Sequence, residues 1–249
     1  MHKNRAMNII INPAFNHLKK YIDRIPSSFI NEGNTIYEGR NTLKLFNFGG
    51  QKLVVKSFKI PHFINKIAYS YLRSSKAKRS YEYGLEIIKR GVNTPTPVAY
   101  IEEFKYGLLH HSYYICEYCD YDRSFREFTY YEESFEGKDD ILIAFADFTV
   151  QMHRAGIYHK DYSPGNILFK KNDEGIEFCI VDVNRIRFGV VTKKLGYKNF
   201  ERIWAGDAML TTIAKRYAFD CGFKEEASIK KVLYYNHIVM IPPVSSNKS

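Results

Sequence analysis

Within Ile157-Tyr158-His159-Lys160-Asp161-Tyr162-Ser163-Pro164-Gly165-Asn166-Ile167-Leu168-Phe169, a carboxylate and an amide stand five residues apart, just ahead of an apolar run. A carboxylate so placed can orient a hydroxyl and take up its proton, and an amide oxygen further along the loop can reach a metal ion that bridges phosphates. Asp182 closes a second apolar run, Phe178-Cys179-Ile180-Val181, and offers another hard oxygen ligand. Lys56 ends Leu53-Val54-Val55-Lys56, where a compact cation can hold phosphate oxygens. A base, two metal ligands and a phosphate-binding cation are the parts that phosphoryl transfer to an alcohol requires.

These residues need elements to hold them. Thr35–Tyr37, Thr42–Phe46 and Lys52–Phe58 read as short strands, separated by the turns Glu38-Gly39-Arg40-Asn41 and Asn47-Phe48-Gly49-Gly50. After Pro61 the pairs Phe63/Ile64, Ile67/Ala68 and Tyr71/Leu72 predict an amphipathic helix. A second helix starts near Ser75, carries Tyr81, Leu85 and Ile88 on one face, and stops at Gly91. Val98–Phe104 and Ser112–Cys116 predict two more strands. A third helix opens at Asp139-Asp140, is striped by Ile141, Leu142, Phe145, Phe148 and Met152, and closes at His153-Arg154-Ala155-Gly156. The expected fold is therefore α+β and bilobal. An N-terminal extension covers 1–32, a small antiparallel β-sheet lobe with inserted helices covers 33–116, and a larger, mostly helical lobe covers 117–249.

The chain has 249 residues, with 37 Lys and Arg against 27 Asp and Glu, for a net charge of +10. Most of the excess is local, since Lys52–Arg90 holds ten basic residues against Glu82 and Glu86. Such a stretch suits a phosphate-rich partner or an anionic membrane surface. No run of about 18 apolar residues is present, so no membrane span is expected. Ile9-Ile10-Ile11 is broken at once by Asn12-Pro13, so no secretory leader is expected either. Four scattered cysteines make no disulfide framework and point to a reducing, cytoplasmic setting. Cys116-x-x-Cys119 has zinc-like spacing without a second pair, and no nucleic-acid module is recognisable.

His-x-Asp with Asn five residues on, Lys56 on the third strand, and Asp182 after an apolar strand follow the order of the protein-kinase motifs. Over roughly Gly33–Tyr235 the chain resembles the protein-kinase-like superfamily. It is similar within it to the lipopolysaccharide core sugar kinases, the Kdo and heptose kinases. Glu82-Tyr83, Gly91–Tyr100, Tyr158-His159-Lys160-Asp161 and Asp182-Val183-Asn184-Arg185-Ile186-Arg187-Phe188 carry that likeness. It implies ATP-dependent phosphorylation of a sugar hydroxyl on a glycolipid acceptor, with peripheral contact at the cytoplasmic face of the inner membrane.

In this reading Asp161 is the base, Asn166 and Asp182 hold Mg²⁺, and Lys56 holds the α/β-phosphates. The acid that aligns Lys56 is Glu82, beside Tyr81 on the core-facing stripe, with Glu86 as second choice. Gly39 and Arg40 lie in the phosphate-covering loop, and Glu117-Tyr118 forms the hinge against adenine. Lys160, Arg185 and Arg187 are candidates for an anionic acceptor, and His159 ties the loop to neighbouring backbone. Two departures stand out: the phosphate loop has a single Gly, and no Ala-Pro-Glu follows Asp182. A small-molecule kinase of aminoglycoside type, a protein kinase and a nucleotide-binding pseudokinase are the alternatives; oligomeric state is left open.

Overall fold

The computed structural model describes residues 5–60, 73–121, 123–130 and 135–240. The helix expected over Phe63–Leu72 lies outside them. The chain divides into two compact units, Met1–Lys89 with Thr94–Asp120, and Arg90–Asn93 with Tyr121–Ser249.

The first unit is built on an antiparallel sheet, six-stranded among the described residues, in the order β1-β5-β6-β4-β3-β2. Its strands are β1 (Arg5–Ile11), β2 (Asn34–Glu38), β3 (Thr42–Phe48), β4 (Gln51–Ser57), β5 (Pro97–Lys105) and β6 (Leu108–Glu117). The five strands expected from the sequence are all present, and β1 is an addition. Its Ile9-Ile10-Ile11 run pairs with Ile101, Tyr100 and Ala99 of β5.

Period-two alternation gives the sheet two different faces. On one, Phe46, Phe48, Leu53, Val55, Ile101, Tyr113 and Ile115 form a core with Phe15, Leu18, Ile22, Ile25 and Phe29. The last five come from a 3₁₀ turn (Pro13–Leu18), the short helices α1 (Lys19–Ile22) and α2 (Ile25–Ser28), and Phe29, which caps α2. The N-terminal segment thus covers a sheet face that would otherwise meet water, and burying each large apolar side chain there contributes about 1.5–3 kcal/mol. Lys44 is buried on the same face because its ammonium donates to the carbonyls of Ile30 and Glu32, at 2.9 and 3.1 Å.

The other face carries Phe58, Tyr100, Tyr114, Cys116 and Val54, packed with Ala77 and Tyr81 of α3 (Lys76–Lys89). Ser75 starts α3 by accepting the Lys78 N–H at 3.0 Å. Gly91, at φ 76°, takes up the left-handed turn after its last residues.

The second unit is centred on α5 (Lys138–Arg154), reached through β7 (Arg123–Ser124) and α4 (Phe125–Tyr130). The stripe Ile141, Leu142, Phe145, Phe148 and Met152 is buried, as its spacing predicts. After α5 come β8 (Ile157–His159), a 3₁₀ turn (Pro164–Asn166), β9 (Ile167–Asn172), β10 (Gly175–Ile180) and β11 (Ile186–Phe188). Helices α6 (Lys193–Asn199), α7 (Asp207–Cys221) and α8 (Glu225–Met240) complete it. Strands β10, β9 and β7 form one small sheet, and β11 pairs with β8 in another. Phe125, Phe145, Phe169 and Phe178 fill the centre, with Phe125 stacked on Phe145 at 4.3 Å and Phe169 on Phe178 at 5.6 Å. None of the described helices is long and apolar enough to cross a membrane.

Candidate active site

The loop after β8 is fixed from several sides at once. Tyr162 is buried, its ring stacked on Phe145 of α5 at 5.7 Å and its hydroxyl bonded to Thr149 Oγ1 at 2.9 Å. Pro164 is buried as well. His159, 0% exposed, accepts the Asp161 backbone N–H on Nδ1 at 3.1 Å. That assigns its proton to Nε2, which donates to the Val181 carbonyl at 3.0 Å. Burial lowers the pKa of His159, so the ring is neutral and serves as a strut. Both Asp161 and Asp182 are near enough to favour its charged form, but burial outweighs them.

Asn166 turns its amide nitrogen inward, donating to the Asp161 carbonyl at 2.9 Å and to Ser163 Oγ at 3.3 Å. Its backbone carbonyl accepts the Val181 N–H at 2.9 Å, which ties the residue next to Asp182 to Asn166. Asp182 has φ 56° and ψ 46°, a left-handed conformation that costs a non-glycine residue on the order of 1–3 kcal/mol. Asn184 holds it there by donating to Oδ1. Hydrogen bonds thus tie Asn166 to Asp161 on one side and to Val181, the residue before Asp182, on the other.

Asp161 has two cationic neighbours. Arg202 Nη1 donates to Oδ1 at 2.6 Å, and Arg185 Nη1 lies 3.4 Å from Oδ2. Arg187 projects from β11 opposite Tyr158 and is exposed, as is Lys160. Gly165 lets Arg126 approach the loop, because a Cβ there would lie 2.5 Å from the guanidinium.

Asn199, at the end of α6, anchors the loop to the helices. Its Nδ2 donates to the His159 carbonyl at 2.8 Å, and its Oδ1 accepts from His153 Nε2 at 2.8 Å. His153 Nδ1 then accepts from the Tyr217 hydroxyl at 2.9 Å. Burial lowers His153 to about 4 and pushes the Tyr217 phenol up, so both are neutral and the chain of donors is consistent. A Cβ on Gly196 would meet the Tyr217 hydroxyl closer than real Cβ atoms come. Gly196→Ala is therefore expected to displace Tyr217 from His153 and cost roughly 1–3 kcal/mol, read as a lower urea midpoint. An unchanged midpoint would show that the network is not under that constraint.

In the first unit, Lys56 lies on the sheet face that packs against α3, with Tyr114 as its cross-strand neighbour. Its ammonium is 5.3 Å from the Phe58 ring and close enough to Cys116 to oppose the burial that pushes that thiol up to about 12. Glu82 does not lie on the core-facing stripe of α3. Its carboxylate is 48% exposed and stands 3.8 Å from Lys78, because one residue past Tyr81 the helix has turned about 100° away from the sheet. Glu86 is half-buried on the same helix. Gly39 and Arg40 are in the exposed β2–β3 turn. The backbone N–H groups of Glu117 and Tyr118 are bonded to the carbonyls of Thr96 and Lys52, both at 3.0 Å. Arg79, counted among the basic residues of this stretch, is buried and donates to the Ser74 carbonyl.

Residues 24–212 match the model of the lipopolysaccharide kinase (Kdo/WaaP) family. The chain belongs to that family. It is thus a phosphotransferase that acts on a sugar hydroxyl, with a protein-kinase-like α+β fold. A solved structure titled WaaP in complex with acyl carrier protein superposes with a TM-score of 0.65 at 15% identity, covering 94% of this chain and 98% of that one. The bifunctional kinase-methyltransferase WbdD gives 0.46 at 13% identity, covering 84% of this chain and 45% of its own. No curated protein matches the sequence.

Arg202, Asn199 and Arg126 were not expected from the sequence. Arg202 and Asn199 lie 41 and 40 residues from their partners, and no local spacing marks them. Only the placement of α6 and the turn after it brings them to the loop.

Proposed function

We propose that this lipopolysaccharide kinase transfers the γ-phosphoryl group of ATP, with Mg²⁺, to a Kdo or heptose hydroxyl of the inner core. The observation that carries this reading is the hydrogen-bonded loop that holds Asp161, Asn166 and the segment leading into Asp182, with the Asp161 carboxylate partly exposed. Asp161 orients the acceptor hydroxyl and takes its proton, while Lys56, on the α3-facing side of the sheet, holds the α/β-phosphates. Glu86, half-buried on α3, is the better placed of the two acids to align Lys56, since the carboxylate of Glu82 is turned towards Lys78.

The donor set fits the metal. Asn166 turns its nitrogen inward and leaves Oδ1 for a cation, and Asp182 adds a carboxylate. Among the described residues no group of three or more His, Cys, Asp or Glu gathers as a metal site. Two protein oxygens completed by phosphate and water suit Mg²⁺, which neutralises phosphate charge when bound. The acceptor is an amphiphile and ATP is cytoplasmic, so the enzyme works at the cytoplasmic face of the inner membrane, in peripheral contact with anionic lipid.

The test is transfer of labelled γ-phosphate from ATP to vesicle-borne Kdo-lipid A, beside an aminoglycoside and a generic protein, with and without EDTA. Label on the glycolipid that disappears with EDTA is the expected result. Label on the aminoglycoside or the protein alone would overturn the acceptor assignment, and ATP binding without label anywhere would favour a pseudokinase.

A further inference from the structure

The carboxylate that would accept the acceptor's proton is already engaged. Arg202 reaches Oδ1 at 2.6 Å and Arg185 stands 3.4 Å from Oδ2, and the Asp161 side chain is only 25% exposed. A hydroxyl approaching Asp161 must therefore compete with a short charge-assisted hydrogen bond. A neutral alcohol offers the displaced guanidinium only a single uncharged acceptor. A carboxylate or phosphate beside the hydroxyl offers it a bidentate partner.

The backbone beneath Arg202 is fixed, so the side chain is the part able to move. Phe200 is 0% exposed and its carbonyl accepts from Asn236 Nδ2 at 3.1 Å. Ile203 and Ala205 are buried, and Trp204 between them has φ 51° with its indole exposed. A non-glycine residue persists in that conformation only where its surroundings dictate it. Lys160, Arg187 and Arg126 add positive charge around the same loop.

We propose that Arg202 is a specificity-determining residue that, with Arg185, holds Asp161 until an acceptor with an anionic group beside its hydroxyl takes over the guanidinium. This rests on the reading of Asp161 as the base. On transfer, the acceptor O–H gives its proton to the released Asp161 oxygen as the acceptor oxygen bonds the γ-phosphorus. The bond from that phosphorus to the β,γ-bridging oxygen breaks, and ADP leaves.

The experiment compares free Kdo with its carboxyl methyl ester, using the full chain with ATP and Mg²⁺, in wild type, Arg202→Lys and Arg202→Ala. Wild type should favour the acid in kcat/KM, and Arg202→Ala should shrink that preference by on the order of tenfold, with Arg202→Lys between them. Trp204 is the only tryptophan, so its fluorescence reads binding without turnover. Kdo should perturb it in wild type, the ester should do so weakly, and Arg202→Ala should lose the difference. Equal losses with acid and ester, or an unchanged preference with an unchanged fluorescence response, would overturn the proposal. A fluorescence response to Kdo that needs Arg202, with no phosphate transfer in wild type, would keep the anion site and reject the kinase reading of the acceptor.

Discussion

Asp161→Asn is expected to lower kcat for transfer by about 10²- to 10⁴-fold, the range set by losing a positioned general base. Asparagine is the informative substitution because it keeps an oxygen to accept from Arg202, whereas alanine would leave two guanidiniums facing each other over an empty position. The rest of the loop does not depend on the carboxylate. His159 Nδ1 bonds the Asp161 backbone N–H, and Asn166 bonds its carbonyl. ATP affinity and the urea midpoint should therefore stay near wild type while turnover falls. An Asp161→Asn protein that keeps more than a tenth of wild-type kcat would remove the base from the mechanism. A protein that loses ATP binding with turnover would make Asp161 a structural residue instead.

The loop motif was legible in the sequence because its chemistry is local. Asp161 and Asn166 are five residues apart, and a short polar loop between two strands leaves them few places to go. The strands β3 to β6 and the helix α5 were legible for a similar reason, since their apolar residues match the faces they bury. For β2 and α3 only the element was legible: β2 is exposed throughout, and Leu85 and Ile88, expected beside Tyr81 on the buried face of α3, are exposed while Ala77, Gly84 and Ile87 are buried with Tyr81. The placement of Glu82 was misjudged by one step on a helix, where a single residue rotates a side chain by about 100° and decides between core and water.

The N-terminal segment was read as an extension because its first strand earns its place only by pairing with β5, about ninety residues on. Arg202 and Asn199 were invisible for the same physical reason. Their roles depend on where α6 packs, and nothing in Asn199-Phe200-Glu201-Arg202 distinguishes a loop anchor from an ordinary helix end.

Acid should weaken the fold, and His153 gives the reason. Its pKa is about 4 in the folded protein, depressed by burial from an ordinary value near 6.5. The unfolded chain therefore binds a proton that the folded chain refuses, and stability falls wherever the unfolded state takes up more protons. The contribution is fully present above about pH 6.5 and is lost as pH falls towards 4. Its size is roughly 3 kcal/mol, from the depression and about 1.4 kcal/mol per unit. His159, fully buried and shifted in the same direction, adds to the loss. Protonating either ring would also break the network itself. His153 Nδ1 would have to donate to a phenol that now donates to it, and His159 Nδ1 would face the Asp161 N–H. Urea midpoints should stay level from pH 7.5 to about 6.5 and fall below that towards pH 5, and His153→Gln should start lower but show a shallower slope. A flat profile in wild type would mean that neither histidine is held neutral, and with it the tautomers that link Tyr217, His153, Asn199 and the loop after β8 would be wrong.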